Sequence, residues 1–343
     1  MRLRPAHGAD GFALAFRLLS AVLASATFCA SAIADPLPSW TEGATKAAII
    51  TFVEAVTDPS SEDYLPPEAR IAVFDNDGAL WAEQPMYFQF LFALDQLRAK
   101  AAKDPAILST DVLRAAAAGD METLMAGGTA ALIEVVMATH ANMTVADFQT
   151  DVADWFATAK NPATGQPISD MTYQPMVELL SYLRDEDFST WIVSGGGVNF
   201  VRAIAEDAYG IPPTQVVGSM TDTEYRVIDG VGQIVQLPDI AFIDDKEGKP
   251  VGIARNIGLR PVIAFGNSDG DYEMLEYTTT GPGPHLGMIL HHTDATREFA
   301  YDRDSHIGKL DRGLNDAAAQ GWLIVDMAND WSRVFSGATA KAE

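Results

Sequence analysis

IAVFDNDGALW, residues 71–81, decides the fold. Ile71 to Phe74 are apolar without alternation, the pattern of a parallel strand covered on both faces. The run stops at Asp75 and Asp77, with Asn76 between them and Gly78 after. Like charges that close repel, so the stretch requires something positive upon it, or one carboxylate kept protonated. A buried strand that ends on such a pair points to chemistry at its carboxyl end.

Four further apolar runs share this character: Trp191–Val193, Pro261–Phe265, Leu286–Leu290 and Trp322–Val325. Helical segments fall between several of them. In Pro175–Arg184, Met176, Val177, Leu179, Leu180 and Leu183 lie at helical spacing behind Thr172 and Pro175. Strands alternating with helices imply an open, Rossmann-like α/β sheet. Residues 85–172 read instead as helices alone. Met86–Lys103 and Leu132–His140 favour helix, and Thr144-Val145-Ala146-Asp147 resembles a capping box ahead of the stripe Val145, Phe148, Val152, Trp155, Phe156. The expected organisation is a core of 35–84 and 173–338 carrying a helical cap, 85–172. Asp229-Gly230 reads as the turn of a hairpin between Glu224–Ile228 and Val231–Leu237.

The first 34 residues read as an export signal. Arg2, Arg4 and Arg17 precede an apolar run from Leu18 to Ala32, and Ala32-Ile33-Ala34 fits a small-x-small cleavage site. The run is shorter than the roughly 18–20 residues that span a bilayer. Cleavage would remove Cys29, the only cysteine, so neither disulfide nor thiolate chemistry is expected in the mature chain. It would also remove three Arg and one Asp from the 23 basic and 47 acidic residues, leaving a net charge of −26. Such acidity argues against nucleic acid or an anionic membrane as partner. The remaining ~309 residues, nearly half hydrophobic, exceed the size at which single cores stop growing, consistent with a core and a smaller second domain.

Three of the apolar runs end in polar residues beside glycine: Asp75-Asn76-Asp77-Gly78, Ser194-Gly195-Gly196-Gly197 and Gly266-Asn267-Ser268-Asp269-Gly270-Asp271. Ligands of open parallel sheets bind outside the carboxyl ends of the strands, so the three loops should meet at one pocket. Asp75, Asp77, Asn267 and Asp271 offer hard oxygen ligands suited to Mg²⁺, which would relieve the repulsion between the aspartates. Ser194 and the backbone from Gly195 onward offer a hydroxyl and N–H groups for an anion. Asp244-Asp245-Lys246-Glu247-Gly248-Lys249 supplies two candidate cations, Lys246 and Lys249.

FDNDGAL, IVSGGG, this lysine-bearing loop and GNSDGDYEML together resemble the four ordered motifs of the haloacid dehalogenase (HAD) superfamily, across residues 70 to about 276. The pattern is most similar to the phosphoserine phosphatase-like branch, with a helical cap after the first motif. The resemblance implies a phosphatase: Asp75 as nucleophile, Asp77 as general acid and then base, Ser194 and Gly195 on the phosphate, and a lysine neutralising charge. It implies Mg²⁺ on Asp75, the Asp77 carbonyl and the last motif, Asn267 and Asp271. Lys249, 22 residues before Asp271 and against the following helix, is preferred over Lys246. Dehalogenases lack an acid at the position of Asp77, because a halide leaves without a proton. The expected activity is therefore hydrolysis of a small phosphomonoester outside the cell, in the periplasm or medium.

Ala79 stands where the family has Thr or Val, and Asn267 where it has aspartate. These departures favour one alternative, an inactive protein that keeps the fold to bind a phosphorylated ligand; phosphotransferase or phosphonatase chemistry on the same scaffold is a third. Asp269 reads as a turn residue. His291-His292 cannot easily chelate one ion, since neighbours on a strand point to opposite faces. Among Trp81, Tyr87, Phe88, Phe90 and Phe92, the first two are the expected substrate-wall residues and the others core.

Overall fold

The computed structural model describes residues 34–337, so the expected export signal, Ala34 excepted, lies outside the described residues. Seven strands form one sheet: β1 Ile71–Phe74, β2 Ser189–Gly197, β3 Val216–Ile228, β4 Val231–Phe242, β5 Ile263–Gly266, β6 Leu286–His291 and β7 Leu323–Asp326. Their order is β4-β3-β2-β1-β5-β6-β7. All neighbours are parallel except β3 and β4. Strand β1 is central, with β2 on one side and β5 on the other. The chain therefore reverses its winding direction between β1 and β5, the place where open α/β sheets form their crevice.

The unalternating apolar runs are strands because both faces of the sheet are covered. Ala72 and Phe74 point into one core layer and Ile71 and Val73 into the other. The first layer holds Ile49, Val53, Met176 and Leu179 from helices Ala44–Thr57 and Gln174–Asp185. The second holds Ile253, Met274, Leu275 and Ala317 from helices Gly248–Asn256, Tyr272–Thr279 and Arg312–Gln320. Phe74 and Phe265 stack across β1 and β5 at 6.2 Å.

The hairpin turns as expected at Asp229 and Gly230, whose φ values of 51° and 80° suit a two-residue turn. Its first strand, however, extends back to Val216 and joins the sheet beside β2. Val216-Val217-Gly218 is too short an apolar stretch to announce this strand by itself.

Between β1 and β2 the chain forms helices Phe88–Lys103, Asp111–Ala118, Met121–Ala126, Gly128–His140 and Val145–Phe156, with no strand among them. Thr144 Oγ1 accepts from the Asp147 N–H at 3.0 Å and donates to its carboxylate at 2.6 Å, opening the last helix. Phe90, Leu94, Leu97, Leu113, Leu124 and Val135 give the insert a core of its own. Phe92 and Phe148 tie it to the sheet, Phe92 lying 5.8 Å from Phe200 in the helix Val198–Arg202. The outgoing and returning linkers pair with each other, Tyr173 N–H donating to Leu80 O at 2.8 Å and Ala82 N–H to Met171 O at 3.1 Å. No helix among the described residues is long and apolar enough to cross a membrane.

Candidate active site

Asp75 ends β1, and its N–H still donates to Phe265 O at 2.9 Å, so its carboxyl is aimed by the sheet itself. Lys249, second residue of its helix, reaches the same point from beyond β4. Its Nζ donates to Asp75 Oδ1 and Asp271 Oδ1, both at 2.6 Å, and to Val193 O at 2.9 Å. Burial alone would lower the Lys249 pKa, but Asp271 and Asp75 outweigh it and hold the ammonium charged. Burial, with the charge of Asp271, pushes Asp75 well above the usual carboxylate range, while Lys249 pulls the other way. Lys246, by contrast, is exposed.

Asp271 organises the last loop. Its Oδ2 accepts from the Asn267 and Ser268 N–H groups at 2.9 and 3.0 Å and from Ser268 Oγ at 3.3 Å. A side chain at Gly266 would collide with this carboxyl, which accounts for the glycine. Both Asp271 oxygens are thus engaged. The free oxygen of that loop is Asn267 Oδ1, an acceptor that is buried and has no hydrogen-bond partner. Asp269 caps a helix instead, accepting from the N–H groups of Asp311, Arg312 and Gly313.

Asp77 is held by Trp81, whose Nε1–H donates to its Oδ1 at 2.8 Å. Burial raises Asp77 to about 6, against the opposing effects of Trp81 and Lys249. Ser194 is fully buried, and a methyl group placed on Gly196 would lie 3.2 Å from its Oγ and 3.5 Å from Asp77 Oδ2. The second strand's loop and the first therefore face one another. The glycine N–H groups are less open than the sequence suggests. Gly196 N–H donates to Ser194 Oγ at 3.0 Å, and Gly197 N–H to Gln89 Oε1 at 2.7 Å. Gln89 comes from the insert, so the insert clamps this loop.

Several neighbours escaped sequence reasoning. Glu83 Oε1 accepts from Asn267 Nδ2 and from the Tyr301 hydroxyl, both at 2.8 Å. Burial raises Glu83 well above the carboxylate range. Its hold on the amide nitrogen fixes which end of Asn267 is free. His292 Nε2–H donates to Gly78 O at 2.8 Å, and its ring stacks on Tyr301 at 4.3 Å. It buttresses the first loop, whereas His291 lies by Asp302. Gly78 has φ 75°, and a side chain there would strike Asn267 and Glu83. Ala79 is buried and contributes no polar group; the loop is closed by Gly78 N–H to Trp81 O and Leu80 N–H to Asn76 O.

Trp81 corrects one expectation. It is fully buried among Phe88, Phe156, Phe200 and Tyr209, so it supports Asp77 from beneath and forms no substrate wall. Tyr87 does line the cavity above the aspartates, and so does Phe90, which was expected to be core alone.

The residues offered for Mg²⁺ can be weighed on these contacts. No group of three or more His, Cys, Asp or Glu shaped for a metal occurs among the described residues. One carboxylate, a main-chain carbonyl and an amide oxygen, completed by water, nevertheless form a hard-oxygen set of the kind Mg²⁺ accepts. Asp75, the Asp77 carbonyl and the unpartnered Asn267 Oδ1 fit that set, with Asp271 supporting it from behind.

The family model of haloacid dehalogenase-like hydrolases matches residues 72–276. The chain belongs to this family. As in the expected arrangement of HAD motifs, Asp75, Asp77, the Ser194 loop, Lys249 and Asn267 meet at the carboxyl ends of the central strands. Solved structures similar to this HAD protein include a functionally unknown protein from Anaerococcus prevotii, 17% identical with a TM-score of 0.49, covering 73% of this chain and 86% of that one. A protein of unknown function from Bordetella pertussis is 19% identical at a TM-score of 0.48, covering 75% and 98%. A phosphoserine phosphohydrolase-like protein from Francisella tularensis is 16% identical at 0.39, covering 73% and 98%. At these levels none speaks to the substrate. No curated protein matches the sequence.

Proposed function

We propose that this HAD hydrolase is an exported, Mg²⁺-dependent phosphatase acting on a small phosphomonoester, with the insert of helices as its cap. The observation that carries the reading is the meeting of Asp75, Asp77 and Lys249 beneath one cavity, with Lys249 bridging Asp75 and Asp271 at 2.6 Å. A carboxylate tied to a buried lysine suits nucleophilic attack on phosphorus, and a second acid suits proton transfer.

In this mechanism an Asp75 oxygen bonds to phosphorus as the bond to the leaving oxygen breaks. Asp77 gives its proton to that oxygen, which departs as the alcohol. Asp77 then takes a proton from water, whose oxygen attacks the aspartyl-phosphate and frees Asp75 and inorganic phosphate. Lys249 neutralises charge throughout, and the Ser194 hydroxyl with the Gly195 backbone orients the phosphoryl oxygens. Asp75, the Asp77 carbonyl and Asn267 would hold Mg²⁺, with Asp271 supporting them. When bound, Mg²⁺ supplies positive charge to the phosphoryl oxygens and relieves the repulsion between the aspartates.

The test is phosphate release from a panel of phosphomonoesters by the mature protein, with Mg²⁺ and with chelator. Turnover that needs the metal and is abolished in Asp75→Asn is expected. No release from any ester would overturn the reading, and full activity in Asp75→Asn would remove Asp75 as nucleophile. Detection of the mature protein outside the cytoplasm, with its amino terminus at Asp35, tests export.

A further inference from the structure

The phosphate end of the cavity is crowded with charge, but the rest is not. Beyond the acidic groups and Lys249 much of the wall is apolar: Phe90, Val136, Met137 and Phe148 of the insert, with Met220 of β3 and Ile240 of β4. Among the described residues lining the cavity, Lys249 is the one lysine or arginine, and its ammonium is already shared by two carboxylates and a carbonyl.

Of the neutral polar side chains on the wall, Gln89 and Gln236 are engaged by the protein, while Tyr87 and Thr221 also line the cavity. Gln89 Oε1 accepts from Gly197 N–H, and Gln236 Oε1 accepts from Asn199 Nδ2 at 3.1 Å. His140 is buried between Phe92 and Phe148, and its Nδ1 lies 2.6 Å from the Thr139 hydroxyl. Burial, with Lys100 nearby, lowers His140 to about 3, so this side chain carries no positive charge near neutrality.

The cavity, ≈390 Å³, sits toward the lower end of the ~300–1,000 Å³ typical of small-molecule pockets. A leaving group that enters it meets an apolar wall and finds no cation for a carboxylate or second phosphate. An anionic leaving group would lose its hydration without a partner, and the five carboxyl groups lining the cavity, Asp75, Asp77, Glu83, Asp245 and Asp271, supply no positive charge to replace it.

We propose that the substrate is the phosphate ester of a small, largely apolar alcohol that bears no anionic group, its hydrocarbon part held against the wall of Phe90, Val136, Met137 and Phe148. Esters that carry a carboxylate or a second phosphate are thereby disfavoured. The inference rests on the phosphatase reading and narrows it.

The test compares benzyl phosphate and hexyl phosphate with O-phosphoserine and 3-phosphoglycerate on the wild-type mature protein with Mg²⁺. All four are alkyl esters, so intrinsic leaving-group reactivity does not dominate the comparison. The expected ratio of kcat/KM, apolar over anionic, is about 100-fold, the fold-change that corresponds to leaving a buried polar group without a partner. A ratio of ten or more supports the inference. A ratio below ten overturns it and leaves the phosphatase standing, whereas no release from any ester removes the phosphatase reading and this inference with it. In Val136→Lys the ratio should move toward phosphoserine by ten-fold or more. An unchanged ratio in a folded variant would show that the leaving group does not lie against this wall, and where the variant fails to fold the wild-type panel decides.

Discussion

Replacing Lys249 by methionine removes one cation and strands two carboxylates. The lysine side chain is 2% exposed, and its partners Asp75 and Asp271 are 10% and 1% exposed. Breaking a buried ion pair by deleting one partner costs ~3–5 kcal/mol, because the remaining charge keeps its desolvation penalty. Here two charges and the Val193 carbonyl lose their donor together, which places the loss at about 4–5 kcal/mol on that scale. For a chain of this size that corresponds to a fall in Tm of about 10 °C, taking ~2–4 °C per kcal/mol.

The assay is thermal and urea unfolding of metal-free Lys249→Met and wild type at pH 7, with Lys249→Met/Asp271→Asn as control. The double variant carries one stranded charge fewer and should recover roughly 2 kcal/mol, about half the loss. The pH dependence has a defined sign. Asp75 is already raised by burial and Asp271, and loss of the lysine removes the influence that lowers it. A carboxyl whose folded pKa is raised contributes stability at low pH and loses it as pH rises through that pKa. The variant should therefore approach wild type as pH falls from 8 to 5. A Lys249→Met protein within 2 °C of wild type across that range, measured against the ~10 °C expected, would refute the reasoning.

Three further outcomes follow from particular contacts. Trp81→Phe deletes the donor to Asp77 Oδ1 and replaces a fully buried indole by a smaller ring; hydrogen bonds to charged groups are worth ~1.5–3 kcal/mol, so turnover should fall by roughly 10- to 100-fold and Tm should fall with it. In Asn267→Asp a carboxylate would replace the amide that now donates to Glu83 at 2.8 Å. Metal-free stability should drop by ~2–3 kcal/mol, and Glu83→Gln in the same protein should restore most of it, read by a double-variant urea cycle. His140, held neutral down to about 3, binds a proton in the unfolded chain from about pH 6.5. Its depressed pKa supplies stability above pH 6.5 that is lost toward pH 3 at about 1.4 kcal/mol per unit, so the stability difference between wild type and His140→Leu should change by ~2 kcal/mol between pH 7 and pH 5.

Much of the molecule follows from local pattern. A strand buried on both faces has no polar face to show, so Ile71–Phe74 and its parallel neighbours announce themselves as unbroken apolar runs. The polar ends of those runs mark the crevice, because only there does the parallel sheet expose its strand ends to a ligand. Asp75, Asp77 and Asp271 were legible for that reason, since a charge that interrupts or closely follows a buried run carries its own signal, whereas Lys249 stood out from Lys246 only by its spacing to Asp271 and the helix that follows it. What the partners of these charges are is another matter. Glu83 looks like any surface glutamate until Asn267 and Tyr301 reach it across 184 and 218 residues. Trp81 reads as a wall residue until the insert covers it, and Gln89 as a helix surface residue until Gly197 donates to it. The β3 strand likewise needs β2 beside it before Val216 and Val217 become core. Sequence alone determined where the charge lies and which strands carry it, since those depend on short stretches of chain. Only the tertiary structure decided which atoms remain free, such as Asn267 Oδ1, because a polar atom is free or engaged according to distant segments that no local pattern encodes.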